Sequence, residues 1–528
     1  MTTTTIHRGR ILQVPLDRTG AHPLYRQIYD TIRDGILSGR LPPGTRLPST
    51  RDLARDLQIA RSTVVQAFEQ LRAEGYVEGV VGAATRVSRS LPDVHTRPAA
   101  LTRQANAAAP RVSISERGRR ILATSVRSQW VLGRPPRAFR AGVPAVDVFP
   151  VEAWGRILAR RWNRTSSRLL AYGEPFGYQP LRAAVAEYLR AARGVRCSPE
   201  QVFIVAGSQQ AIDLCARVLL DPGDTAWLED PGYHGARGAL AAAGARIVAV
   251  PVDAEGLVVS AGRKRAPDAR LAFVTPSRQL PLGVTMSLAR RLDLLEWAAG
   301  RAWIIEDDYD SEFRYASRPL AALQGLDGAG CVLYAGTFSK VMFPALRLGY
   351  LVVPEPLIDA FAAARHVADY HSPYLEQAAM ADFMTAGHFE RHIRRMRAIY
   401  QNRQAVLAQA AERELAEHLR VERADAGMTL IAWPTRHDDI TVAQAAQRAG
   451  IDLLALTPFT LERPLPPGVL LGYAGVNEED LRVGVTRLAA VFRTLDEAGA
   501  RRPERGPSRA APPARFTSLP ADLRPASE

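Results

Sequence analysis

From about residue 128 to residue 498, short apolar runs of strand length alternate with amphipathic stretches of helical period. No other feature constrains the fold of this 528-residue chain as much, because that alternation requires an α/β body. Three composition shifts surround it. Residues 1–88 hold compact helical patterns with short turns, and residues 89–127 are rich in Pro, Ala and Arg with few bulky apolar side chains. That second stretch reads as a flexible basic linker, although SISERGRRILATSV has the pattern to begin a helix. Residues 499–528 read as a disordered basic tail. With 47% hydrophobic and 23% charged residues, a largely disordered, collagen-like or coiled-coil chain is excluded.

No apolar stretch reaches membrane-spanning length, and the N-terminus lacks the apolar centre of a signal peptide. Cys197, Cys215 and Cys331 form neither a disulfide framework nor a metal-ligand spacing. We expect a cytoplasmic protein without a bound metal. Of the net charge of +14, residues 1–88 carry +4, residues 89–127 carry +6 and residues 499–528 carry +3, which leaves +1 for the body. Basic appendages on a nearly neutral body suit a polyanion such as nucleic acid, and they equally suit plain solvated linkers.

Leu24, Ile28, Ile32 and Ile36 recur every four residues and predict a helix from about Pro23 to Ser38, with Gly39 placed to end it. LPPGTRLPS reads as a turn. Ser49 can cap a short helix, Thr50–Leu57, and Ser62 a further one, Thr63–Glu74, in which Val64, Ala67, Phe68 and Leu71 face inward. YVEGVVGAATRVS follows as two short strands around Gly82. Helix, helix–turn–helix and hairpin wing would place the last helix in the DNA major groove. Arg61, Ser62, Thr63 and Gln66 lie on its exposed side, while Arg46, Ser49 and Arg51 are placed to hold phosphates. A small three-helix core without DNA binding has the same periodicity.

Only two of the 68 basic residues are lysine, Lys264 and Lys340. Lys264 sits in AGRKRAPDAR and reads as solvated, whereas Lys340 follows an apolar strand in YAGTFSKVMFPALRLGYLVV. Desolvation lowers an amine's pKa and favours condensation with an aldehyde. Ser339 and Arg347 offer a hydroxyl and a guanidinium suited to a phosphate. In ARAWIIEDDYDSEF, Asp307 and Tyr309 are two apart at a strand end and share a face, where they can meet a pyridinium nitrogen and a ring oxygen. The same acidic cluster would also suit a metal. Gly207-Ser208-Gln209 opens a helix after a strand and offers free amides to a phosphate. Tyr233, in WLEDPGYHGAR, stands on a turn where its ring could stack on a flat cofactor or simply face solvent.

The stretch from PLYRQIYDTIRDGILSGR through LPSTRDLARDL to RSTVVQAFEQL resembles the GntR-type winged helix, over roughly residues 22–88. The family wing usually carries a basic residue followed by Gly-x-Gly-Thr; here it reads Gly79-Val-Val-Gly82-Ala-Ala-Thr85. The four body motifs, with FRAGVPAVDVFPVEAW, YGEPFGYQPLRAAVAEYL and TPSRQLPLGVTM, resemble the fold-type-I aminotransferases over about residues 138–490. The combination resembles the MocR subfamily of bacterial regulators. The resemblance implies an α/β aminotransferase-like body behind an N-terminal all-α winged helix–turn–helix, binding pyridoxal 5'-phosphate and operator DNA. It implies that Lys340 is the Schiff-base lysine, that Asp307 meets the pyridine nitrogen and Tyr309 the phenolic oxygen, and that Tyr233 stacks on the ring. Gly207, Ser208, Gln209, Ser339 and Arg347 would bind the phosphate, and Tyr172 would reach the phosphate of a partner subunit in a homodimer.

Two departures lie on the substrate side. Leu470 stands where aminotransferases place an arginine in R-[LI]-x-[FY]-A, with Arg463 nearby in sequence but off the pattern. Arg278 replaces the histidine common in the subfamily, where it could contact cofactor or effector. The missing carboxylate clamp favours a sensor over an active aminotransferase. Pyridoxal phosphate itself, with control of vitamin B6 genes, is the expected signal, and a captured amine such as GABA or taurine is the alternative.

Overall fold

The computed structural model describes residues 4–7, 10–18, 22–79, 85–89, 114–124, 135–315, 321–462 and 464–500. Two compact units divide the chain, Met1–Ser113 and Ile114–Glu528.

In the first unit, α1 (Leu24–Leu37), α2 (Thr50–Leu57) and α3 (Arg61–Ala73) bury Ile28, Ile32, Leu53, Leu57, Val64, Phe68 and Leu71 against one another. Each large apolar side chain so buried contributes roughly 1.5–3 kcal/mol. Gly39, at φ 74°, takes the left-handed position that ends α1. Ser49 caps α2 as its sequence suggests, its hydroxyl oxygen accepting from the Asp52 amide at 3.1 Å. Ser62 does not cap α3. The left-handed Gln58 stops α2, Ala60 takes up the extended N-cap conformation, and the helix is already formed at Arg61, which leaves Ser62 inside its first turn. Val77–Glu78 and Arg86–Val87 pair antiparallel as the base of the wing, and Gly82 lies outside the described residues. A further antiparallel hairpin joins Thr4–His7 to Arg10–Gln13.

The second unit is built on an eight-stranded sheet in the order Val202–Val205, Gly349–Val352, Val332–Thr337, Trp303–Asp308, Leu271–Val274, Thr225–Asp230, Arg246–Asp253, Gly256–Leu257. The pairings from Val332–Thr337 through Arg246–Asp253 are parallel, whereas Gly349–Val352 runs antiparallel to both its neighbours. Successive residues go to opposite layers. Val202 and Ile204 join the core that holds Tyr334 and Tyr350, and Phe203 and Val205 join the one that holds Leu333 and Leu351. Both faces are therefore covered, which explains why these strands read as continuous apolar runs. A four-stranded antiparallel sheet follows, in the order Leu419–Val421, Thr429–Pro434, Val469–Gly472, Leu454–Ala455.

The second unit begins inside the stretch that reads as a linker. There Glu116–Thr124 forms a helix, α4, which lies against the helix His234–Ala243. Residues 90–113 and 125–134 lie outside the described residues, as does the tail from 501. Among the described residues no helix is long and apolar enough to cross a membrane.

Candidate functional site

The sequence elements singled out in the body converge where the sheet's parallel strands end, the usual place for a ligand in an open α/β sheet. Asp307 closes the strand Trp303–Asp308, and Tyr309 follows it. Lys340 stands three residues beyond Val332–Thr337, and Tyr233 three beyond Thr225–Asp230. Gly207 is the N-cap of the helix Ser208–Leu219 and, at φ 115°, has a conformation that favours glycine.

Lys340 Nζ donates to the Gly142 carbonyl at 2.6 Å. Burial holds this amine below its ordinary pKa, although the Asp310 and Asp307 carboxylates pull the other way. Asp307 is 4% exposed, and its carboxyl is pushed up to about 8 by burial and by Asp308, with Lys340 opposing. Among the described residues Asp307 Oδ1 has no hydrogen-bond partner, and the Tyr309 hydroxyl makes no bond of ordinary geometry, although the Arg278 guanidinium lies beside it. Leaving such groups unpaired costs about 1–3 kcal/mol each. A ligand that offers a protonated ring nitrogen and a ring oxygen would satisfy both.

The other side of the site is built for an anion. A Cβ placed on Gly207 would lie 3.7 Å from Arg347 Nη1 and 3.9 Å from Thr337 Oγ1, so guanidinium, hydroxyl and helix N-terminus face one another. The Ser339 amide donates to Thr337 Oγ1 at 3.1 Å. Tyr233 donates to Gln209 Oε1 at 3.1 Å, and Gln209 Nε2 donates to the Gly235 carbonyl at 2.9 Å, which ties together the first turns of the two helices. Burial pushes the Tyr233 phenol up to about 12, and Asp307 acts in the same sense. Tyr233, Asp307, Lys340 and Arg347 are thus within electrostatic reach of one another. These residues fit pyridoxal phosphate: Asp307, Tyr309 and Tyr233 would hold the ring, Ser208, Gln209, Ser339 and Arg347 the phosphate, and Lys340 the aldehyde carbon.

Tyr172 stands apart from the other site residues, whereas Arg278 lies beside Tyr309. Tyr172 is 87% exposed, against the Tyr370 ring at 5.6 Å, and among the described residues no ring contact brings it to Lys340 or Asp307. Arg278 is buried, and its guanidinium is engaged: Nη2 donates to the Thr429 carbonyl at 2.9 Å and Nη1 lies 3.5 Å from Asp310 Oδ2. Burial opposes its charge, but Asp310, Tyr309 and Tyr473 together outweigh burial and raise its pKa. Leu470 is buried in an apolar cluster with Ala141, Leu282, Trp433, Leu454, Leu456 and Phe459, at the position where aminotransferases carry an arginine.

Several residues escaped the sequence reading. Asp308 Oδ2 receives Arg193 Nε at 2.8 Å and the Tyr334 hydroxyl at 2.6 Å, and Arg193 Nη2 reaches Ser277 Oγ at 2.7 Å. This buried set sits directly behind Asp307. Thr337, two residues before Ser339, was visible as a hydroxyl in the GTFSK turn. Gly142, 198 residues from Lys340, had no local signal.

In the first unit Arg46, Ser49, Arg51, Arg61, Ser62 and Gln66 are exposed and Thr63 is half-buried, so the first turn of α3 presents polar side chains to solvent. Together with the wing strands this is the surface that would meet DNA.

The model for aminotransferase class I and II matches residues 141–488, and that for bacterial regulatory proteins of the gntR family matches residues 24–87. Over 487 residues the chain is 43% identical to the probable rhizopine catabolism regulatory protein MocR of Rhizobium meliloti, spanning 92% of this chain and 97% of that one. The chain belongs to the MocR-type regulators. A further relative, at 29% identity, is the HTH-type pyridoxine biosynthesis transcriptional regulator PdxR of Corynebacterium glutamicum, over 86% of this chain and 93% of that one. Among solved structures, the α-aminoadipate aminotransferase LysN of Thermus thermophilus is 30% identical, with a TM-score of 0.63 over 73% of this chain and 96% of that one. The MocR-type body therefore has the fold-type-I aminotransferase architecture, consistent with a capacity to bind pyridoxal phosphate.

Proposed function

We propose that this MocR-type chain is a DNA-binding transcription regulator whose body binds pyridoxal phosphate at Lys340 and responds to it, and that it controls vitamin B6 genes. The observation that carries the reading is the pairing of unsatisfied, buried Asp307 and Tyr309 with the Arg347-lined helix N-terminus, in a chain that also bears a winged helix. Ligand and DNA would be linked through the relative stability of two conformations, and a ligand shifts that balance only by binding one of them better. The cofactor, when bound, supplies an electrophilic carbon that captures amines.

The substrate side supports a sensor rather than a transaminase. Leu470 offers no charge to a substrate carboxylate, and the Arg278 guanidinium is already taken by Thr429 and Asp310. Arg463 lies outside the described residues. A second reading, a small amine captured by the bound cofactor, is kept open by the 43% identity to a regulator named for a catabolic pathway and not for the vitamin. Tyr172, exposed beside Tyr370, supports a homodimer in which it completes the partner's site.

The test titrates the chain's affinity for its own upstream DNA with pyridoxal phosphate, and then with amines at saturating cofactor. A response to pyridoxal phosphate alone is expected. A response only when an amine is added moves the reading to the second, and steady keto-acid production from amino acids overturns the sensor in favour of an enzyme.

A further inference from the structure

Helix α4 rests on small residues of the helix His234–Ala243. A Cβ on Gly238 would lie 3.5 Å from Thr124 Oγ1, and one on Gly244, just past the end of that helix, 3.8 Å from Arg120 Nη1. The sequence HGARGALAAA leaves this surface nearly free of bulky side chains. The support is slight. Helix α4 buries none of its residues, and Ile121 and Leu122 remain 46% and 58% exposed. A nine-residue helix is marginal by itself, so α4 stays folded chiefly through this one seam. A helix held so lightly belongs to the low-stability end of a structure, from which elements that move in regulation are drawn.

The same His234–Ala243 helix meets the candidate ligand pocket at its other end. Its N-cap is Tyr233, whose hydroxyl is bonded to Gln209, and Gln209 returns to the Gly235 carbonyl. A ligand stacked on Tyr233 therefore acts on the first turn of the helix that supports α4. In chain order, α4 is the first described element after the stretch that leads out of the DNA-binding unit.

We propose that the seam between α4 and His234–Ala243 is the element through which ligand at Tyr233 changes DNA affinity, by shifting the balance between docked and undocked α4. The inference rests on the regulator reading above. It supplies the two-state element that any coupling between distant sites needs.

The test replaces Thr124 and Gly238 together by cysteine. Cys197, Cys215 and Cys331 are all buried, so the new pair is the accessible one, and its spacing is close to the range a disulfide requires. Full-length protein is examined reduced and after treatment with oxidised glutathione, with pyridoxal phosphate as ligand and the chain's own upstream DNA as target. Reduced protein is expected to change its DNA affinity at least ~5-fold when ligand is added. Bridged protein is expected to keep the visible absorbance of the bound cofactor and lose the response, and reductant should restore it. A bridged form that responds as fully as the reduced form overturns the seam and leaves the regulator reading standing. Wild-type protein that binds the cofactor but never responds overturns the regulator reading, and the seam with it. A second pair guards against a local fault in the cysteine variant: Gly238→Ala, an ordinary contact at 3.5 Å, should respond normally, and Gly238→Leu should bind cofactor without responding. Full response in Gly238→Leu would likewise overturn the seam.

Discussion

The two units use their polar side chains in opposite ways. In the first, Arg46, Arg51, Arg61 and Gln66 stand in solvent on a small apolar core. In the second, Asp307, Asp310, Lys340 and Glu229 of the strand Thr225–Asp230 are packed at the end of a covered sheet, where burial is the largest of the influences that move their proton affinities. An exposed set can only attract and position a partner that brings its own structure, such as a duplex. A buried set can change the reactivity of what it holds.

That contrast can be broken in graded ways. The largest effect should come from the lysine pair. Borohydride reduction of protein saturated with pyridoxal phosphate should fix the pyridoxyl group on the peptide that carries Lys340 and leave exposed Lys264 free, read by peptide mass. Label on Lys264 instead would remove the buried site from the account. Next, Asp307→Asn should weaken cofactor binding by roughly 10- to 100-fold, the size of a lost charge-assisted hydrogen bond of about 1.5–3 kcal/mol, measured by absorbance titration. An unchanged affinity would mean that Asp307 does not meet the ring.

On the exposed side, Arg61→Ala should cost about 1–3 kcal/mol in binding to the specific DNA site and leave the cofactor spectrum untouched. Arg51→Ala should weaken binding to all sequences alike and reduce its salt dependence, as expected for a phosphate contact. A change in cofactor affinity in either variant would blur the division between the units.

The smallest effect concerns pH. Burial pushes Asp307 up to about 8, Glu229 to about 7 and Asp310 to about 6. Carboxyls with a raised folded-state pKa bind more protons folded than unfolded, so stability falls as pH rises from the unfolded value near ~4 through the folded values. Without cofactor, the melting temperature should therefore decline between pH 5 and pH 8, and bound cofactor should flatten the decline by giving Asp307 a positive partner. A cofactor-free protein that becomes more stable over that range would contradict the desolvation argument.

What could be read from sequence was what is local. The four-residue apolar period of α1, the Ser49 cap, the strand that delivers Asp307 and the turn that delivers Lys340 each fit within about a dozen residues, and the structure has them. The cap on α3 was misplaced because Ser62 and Ala60 compete within one turn, and only the backbone conformation at Gln58 and Ala60 decides between them. What sequence hid was nonlocal. The Gly142 carbonyl that holds Lys340, the Arg193 and Tyr334 contacts to Asp308, and the engagement of Arg278 by Thr429 each join residues far apart in the chain. The docking of α4 was hidden for another reason: it depends on what the glycines and alanines of His234–Ala243 lack, and an absence of side chains carries no periodic signal.

The most direct test sets wild-type protein beside Lys340→Ala and measures affinity for the chain's own upstream DNA with and without pyridoxal phosphate. Both proteins should bind DNA equally when ligand is absent. Ligand should change the wild-type affinity at least ~5-fold and leave the variant's unchanged. A variant that still responds as the wild type does would show that the signal does not pass through Lys340.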